Sequence, residues 1–191
     1  MVGSITEIRW HGRGGQGAKT VSQLMALALK DTGFYVQAFP EYGPERSGAP
    51  MQAYTRSSKK PIRLHCAVTK PDAVAVLDDS LIGKIDVLRG VDSDGLILIN
   101  TNNNNVSLDK PKDFHGRFFS IDAERLSRES GIKYANVVVA GALAAILGMP
   151  SMERLKGAAK EIFEKKLKKA VVDNNLRAIE MGYSNFEKIE V

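Results

Sequence analysis

With 191 residues, 43% of them hydrophobic and 26% charged, the chain has an ordinary globular composition and enough length to bury a real core. Its one cysteine, Cys66, excludes an internal disulfide. It also excludes an iron–sulfur cluster or a thiolate zinc site held by this chain alone.

The net charge of +5 is not organised for nucleic acid, which needs clustered cations interleaved with stacking aromatics. The lysines gather instead near the end of a predicted helix, where cations offset the helix dipole. No apolar run reaches the roughly 20 residues of a membrane helix, and the stretch Ala135 to Pro150 is too short to span. The start, Met1 to Thr6, lacks a basic flank and an apolar signal core. These features predict a cytoplasmic protein of one domain, residues 1–191, with neither nucleic acid nor membrane as a partner.

Along the chain, strand and helix signals alternate. Thr6 to Trp10 is a short strand candidate, followed at once by a glycine-rich loop, His11 to Gly17. Ala18 to Asp31 carries Val21, Leu24, Met25, Ala28 and Leu29 at helical spacing, and Gly33 fits its stop. Tyr35 to Phe39 reads as a strand, Pro40 to Pro50 as an irregular loop, and Met51 to Arg56 as a strand that can pair antiparallel. Ala73–Leu77 and Leu96–Ile99 are uninterrupted apolar runs of the kind found in strands buried on both faces. Leu81 to Leu88 reads as a short helix between them. Asn102 to Asn105 is a polar turn, and Arg117 to Ile121 a further strand.

The remainder reads as helical. Asn136 to Leu147 is a helix of small residues. Ser151 is an N-cap for a second, with a stripe of Met152, Leu155, Ala159, Ile162, Phe163 and Leu167. Lys165, Lys166, Lys168 and Lys169 close that helix as a solvated face. No internal repeat is visible. The prediction is α/β: a three-layer α/β/α domain with a mostly parallel sheet and a helical C-terminal third.

Gly12-Arg13-Gly14-Gly15-Gln16-Gly17 satisfies G-x-G-x-x-G between a strand and a helix, the context that gives the pattern meaning. Glycines permit positive φ and close approach of a ligand. The unpaired N–H groups and the dipole of the following helix make an anion site. A nucleoside-triphosphate loop needs lysine directly after the last glycine, but Ala18 intervenes before Lys19. A dinucleotide site wants an acid closing the second strand, and only Glu41, in a proline-rich loop, is near that position. Three readings stay open: a phosphate site for a nucleotide-like cofactor, a tight turn that holds no ligand, and a site for NAD or ATP proper.

Phe39 to Pro50 forms a second unusual loop, stiffened by Pro40, Pro44 and Pro50 with Glu45 and Arg46 at its centre. It leaves the same sheet edge as the glycine loop, where ligands bind in open α/β sheets. It is a lid, a docking surface or a solvated structural loop.

RGGQG at Arg13–Gly17, FPEYGPERSGAP at Phe39–Pro50 and LHCAVTKPDAVAVLDDSL at Leu64–Leu81 together resemble the gamma subunit of the 2-oxoacid:ferredoxin oxidoreductases. The resemblance runs over essentially the whole chain. The PEYGPER form leans toward enzymes of pyruvate or branched-chain 2-oxoacids, and Ser47 departs from the larger residue of many relatives.

The resemblance implies a complex that converts pyruvate and coenzyme A to acetyl-CoA and CO2 and reduces ferredoxin. It implies thiamine diphosphate with Mg2+ on the alpha and beta chains and 4Fe–4S clusters on the delta and beta chains. The gamma chain holds no cofactor alone and is implicated in the path of the co-substrate coenzyme A. The isolated chain is expected to be inactive and able to form a homodimer through its docking face.

On this reading Gly14, Gly15, Gln16 and Gly17 anchor coenzyme A phosphates, Arg13 or Lys19 adds charge, and Arg46 clamps a phosphate or pairs with a partner carboxylate. The alternative for Arg46 is an ion pair with Glu45 or Glu41.

Other residues carry weaker signals. His11 either touches a phosphate or merely packs. His65 and Cys66, if in a strand, point to opposite faces and make no dyad. Asp78 and Asp79 are candidates for a metal or for the N-cap of the helix at Leu81, and Asn100 and Asn102 end a strand at the ligand edge as candidates to hydrogen-bond a ligand. No acid–base pair and no metal cluster stands out in the sequence. An independent NAD-type oxidoreductase and a structural adaptor are the rival readings.

Overall fold

The computed structural model describes residues 6–41, 48–103 and 106–191. Seven strands form one sheet: β1 (Thr6–Arg13), β2 (Tyr35–Glu41), β3 (Pro50–Ser58), β4 (Ala73–Val76), β5 (Leu96–Asn100), β6 (Arg117–Ile121) and β7 (Glu187–Ile189). Five helices accompany them: α1 (Ala18–Lys30), α2 (Ala123–Ser130), α3 (Asn136–Leu147), α4 (Met152–Phe163) and α5 (Lys169–Ser184).

The strand order is β2-β3-β1-β4-β5-β6-β7. β1, β4, β5 and β6 pair in parallel, while β3 runs against both β1 and β2, and β7 runs against β6. Five strands therefore point one way, and only β3 and β7 oppose them. The α/β class and the helical C-terminal third are as expected; against the mostly parallel sheet of the sequence reading, the sheet is mixed, with three parallel and three antiparallel pairings.

Period-two alternation splits the sheet residues between two cores. Ile8, Trp10, Ala73, Ala75, Leu96, Leu98 and Phe119 face the helices, with Val21, Leu24 and Met25 of α1 and most of α3 packed upon them. α3 is apolar on every side because it is enclosed between the sheet and the outer helices. It approaches α5 closely: a Cβ on Gly141 or Gly182 would overlap backbone of the opposing helix, at Ile179 and Val138 respectively.

Val74, Val76, Ile97, Ile99 and Phe118 face the other side. No α-helix covers them among the described residues. Their cover is irregular chain that brings Ile82, Ile85, Val87, Leu88, Leu108 and Phe114 onto the sheet.

Several boundaries differ from the sequence reading. The expected helix Leu81–Leu88 is only a 3-10 turn, Asp79–Leu81. Gly83 and Gly90 take positive φ there, and the Asp86 carboxylate accepts the Leu88 N–H, so the chain turns instead of propagating. α4 stops at Phe163, which leaves Leu167 outside its stripe and puts Lys165 to Lys168 in the connection to α5. β1 runs on through the first part of the glycine loop to Arg13, paired with β3. His65 and Cys66 lie in exposed coil, not in a strand. Of the polar turn, Asn104 and Asn105 are outside the described residues, as are Glu45 and Arg46 of the second loop.

Candidate functional site

The site is the rim at the carboxyl ends of β1, β2 and β4, where both loops emerge. The glycine turn closes through contacts within the chain. The Arg13 N–H donates to Gln16 Oε1 at 2.7 Å, and Gln16 Nε2 donates to Asp78 Oδ2 at 2.7 Å. Arg13 Nε donates to the same carboxylate oxygen at 3.0 Å, and its Nη2 reaches Ser80 Oγ at 2.7 Å. Asp78 also caps the 3-10 turn by accepting the Ser80 N–H at 3.0 Å. Burial pushes the Asp78 carboxyl up, but hydrogen bonds from Ser80 and Gln16 and the charge of Arg13 outweigh it and leave it below the ordinary carboxylate range.

The two loops meet. The Gly14 N–H donates to the Ala49 carbonyl at 2.9 Å, the Gly48 N–H returns to Gly14 at 3.3 Å, and Arg13 Nη1 donates to the Gly48 carbonyl at 3.0 Å. Arg13 and Gln16 thus shape the turn. Gly15 and Gly17 take φ of 95° and 83°, conformations that glycine alone adopts cheaply. Gly17 is also the N-cap of α1, and a Cβ on it would overlap the Asn136 amide, which donates to the Gly17 carbonyl. α1 has no side-chain cap and no acidic residue in its first turn, so its positive end faces the loop unmodified. Lys19 is exposed beside it.

Next to the turn lies a cavity of about 310 Å³ lined by Gln16, Asp78, Asp79, Asn100, Asp122 and Glu124, among others. Four carboxylates make it hostile to phosphate. The start of α1, beyond the turn, offers an anion favourable potential instead. Asn100 is structural: its amide donates to the Leu77 carbonyl at 3.0 Å and accepts the Ala123 N–H at 2.9 Å.

The sequence reading missed a buried polar layer beneath the rim. Arg9 and His11 alternate with Ile8 and Trp10 along β1, which is the signal that could have revealed it. Arg9 Nε donates to His11 Nε2 at 2.9 Å, and its Nη2 donates to the Val87 carbonyl at 3.0 Å. Burial, and then the Arg9 charge, push the His11 pKa down to about 3. The imidazole is neutral at physiological pH and packs inside instead of reaching a ligand; its Nδ1 is buried without a partner among the described residues.

On β3, the Tyr54 hydroxyl donates to Glu41, and burial together with that carboxylate raises its pKa. Arg56, 1% exposed, pairs with Glu7 at 2.5 Å and donates to the Ala67 carbonyl at 3.2 Å. Glu41, once a candidate ribose acid, is therefore committed to Tyr54.

Strand direction, crossover and a glycine turn at a helix start define an α/β domain that presents one ligand-facing or partner-facing rim. A family model, pyruvate ferredoxin/flavodoxin oxidoreductase, matches residues 7–185. The chain belongs to this family. Pyruvate synthase subunit PorC of Thermotoga maritima is 40% identical over 178 residues, 93% of this chain and 92% of the relative. The pyruvate/ketoisovalerate oxidoreductases common subunit gamma of Thermococcus kodakarensis is 39% identical over 94% of this chain and 96% of its own. The crystal structure of pyruvate oxidoreductase subunit PORC from Thermotoga maritima superposes with a TM-score of 0.82 at 36% identity, covering 97% of this chain and 99% of that one.

Proposed function

We propose that this chain is the gamma subunit of a pyruvate:ferredoxin oxidoreductase, a cytoplasmic complex that turns pyruvate and coenzyme A into acetyl-CoA and CO2. Two electrons pass to ferredoxin. One observation carries the reading: 40% identity to a pyruvate synthase subunit along 93% of the chain. The chain, residues 1–191, works as a single domain and is not a catalyst alone. Alpha, beta and delta chains carry thiamine diphosphate with Mg2+ and the 4Fe–4S clusters.

The gamma chain's own task is toward coenzyme A. Its phosphates meet the start of α1 at Gly14, Gly15 and Gly17, with Lys19 adding charge and Arg46 supplying a clamp from the second loop. Arg13 and Gln16 act one step back, by holding the turn's shape against Asp78. Of these, Gly15 is the probe that meets no neighbour, since no atom lies within 4 Å of a Cβ placed there, and its φ of 95° means that a side chain also strains the turn itself. Gly15→Val should raise KM for coenzyme A several-fold in the assembled enzyme, with kcat for pyruvate nearly kept. An unchanged KM in an intact complex would take the turn out of the coenzyme path.

A second reading, a branched-chain 2-oxoacid enzyme or a subunit shared between two complexes, is favoured by the similarity to the common gamma subunit.

A further inference from the structure

Five large apolar side chains stand exposed among the described residues, and three of them, Tyr134, Leu167 and Val171, line one groove of about 480 Å³. They are 48%, 40% and 41% exposed. Ile132 and Phe163 join them, and Gly15 and Gly17, from the turn assigned above to coenzyme A phosphates, lie with Thr20 at its α1 side. Three exposed apolar side chains grouped in one groove give a partner a place to bury them together, which scattered exposed residues would not.

The groove is also where three helices begin. α1 contributes Gly17 and Thr20, α3 contributes Asn136, and α5 contributes Val171. None of the three has a side-chain cap on its N-cap residue or an acid in its first turn. α2 and α4, whose first turns do not line the groove, have both: Asp122 with Glu124, and Ser151 with Glu153. Positive helix ends without an acidic residue in the first turn are therefore gathered over one apolar trench, although at α3 the Asn136 Oδ1 accepts the Val137 N–H at 2.9 Å.

Cations reinforce them. Lys133 lines the groove, and Lys166, Lys168 and Lys169 run past Leu167. Lys160 and Lys165 are paired with Glu164 and Glu161. Lys166, Lys168 and Lys169 have no carboxylate partner among the described residues.

We propose that this groove docks an acidic segment of a partner chain, with one or two apolar side chains in the trench and carboxylates along the lysine rim at the α3 and α5 end, leaving the start of α1 to coenzyme A. The proposal rests on the subunit reading above and adds to it a place and a chemistry of contact. A second copy of this chain is a poor occupant, because it would bring the same lysines and the same +5 charge. A lipid surface is flat and cannot fill a sunken trench.

The test uses the chain assembled with its partner chains. Two variants are compared with wild type, Leu167→Asp and the triple Lys166→Glu/Lys168→Glu/Lys169→Glu. All four positions are exposed, and thermal unfolding of each isolated chain checks that it folds. Each variant should weaken subunit association about 10-fold or more, and the triple variant should flatten its salt dependence. KM for coenzyme A at saturating subunit should stay unchanged.

Unchanged association in both variants overturns the proposal. So does unchanged association with a raised KM for coenzyme A, which would give the groove to the coenzyme. Binding of wild type, but not the variants, to phosphatidylserine vesicles with partner affinity intact overturns it too. If wild type fails to associate with the partner chains at all, the subunit reading itself falls.

Discussion

His11 shows how a single residue can look functional and be architectural. It sits beside the glycine turn in sequence, yet its side chain is fully buried and accepts from Arg9. Its depressed pKa has a consequence for stability. The unfolded chain takes up a proton near pH 6.5, the ordinary imidazole value, and the folded chain does so only near about 3. The contribution is complete above about pH 6.5 and is lost at up to about 1.4 kcal/mol per pH unit as pH falls toward 3. Urea unfolding of His11→Gln across pH 6 to 4 should show that slope flattened, because Gln keeps an acceptor for Arg9 but does not titrate. An identical slope in both proteins would mean that another group carries the acid sensitivity.

Among elements, the contact between α3 and α5 is the tightest constraint. Gly182→Ala drives a methyl group into the Val138 backbone and should lower stability by about 3 kcal/mol. For a chain of this length the thermal midpoint should fall by about 6–12 °C. Gly157→Ala in α4, where no atom lies within 4 Å of the added Cβ, should instead stabilise by about 0.5–1 kcal/mol. Calorimetry of the two variants distinguishes close packing from helix propensity.

Most elements were readable in advance because their signals are local. The apolar runs of β4 and β5, the stripe of α1 and the Ser151 cap needed no tertiary information. The stretch after Asp79 was misread because Leu81 to Leu88 has helical spacing, whereas Gly83 and the Asp86 turn decide its path. α5 and β7 were not separated from the preceding helix, because the lysine run of the connection after α4 leads straight into α5. At the rim, the shared edge of the two loops was legible because each follows the carboxyl end of a strand read from the sequence. The roles of Arg13 and Gln16 were not, since their partner Asp78 lies more than sixty residues away. The groove was equally hidden: it exists only once three helix starts are brought together.

For the whole molecule, the proposed function divides the labour between chains. Among the described residues no group of His, Cys, Asp or Glu is arranged to hold a metal ion, and no helix is long and apolar enough to cross a membrane. The proposed role places the redox chemistry on companions. The isolated chain should therefore give no pyruvate-dependent reduction of ferredoxin, and turnover should appear on mixing with the alpha, beta and delta chains. Assaying that mixture against pyruvate and branched-chain 2-oxoacids decides between the two readings of substrate; turnover by this chain unaided would defeat both.

The bonds that set the glycine turn, from Arg13, Gln16, Asp78, Ser80 and the Gly48–Ala49 backbone, all come from inside the chain. A receptor finished in advance surrenders little conformational entropy when something arrives. Calorimetric titration of the complex with coenzyme A should then show a heat-capacity change no larger than its own buried surface explains, without the surplus that accompanies a loop folding around its guest.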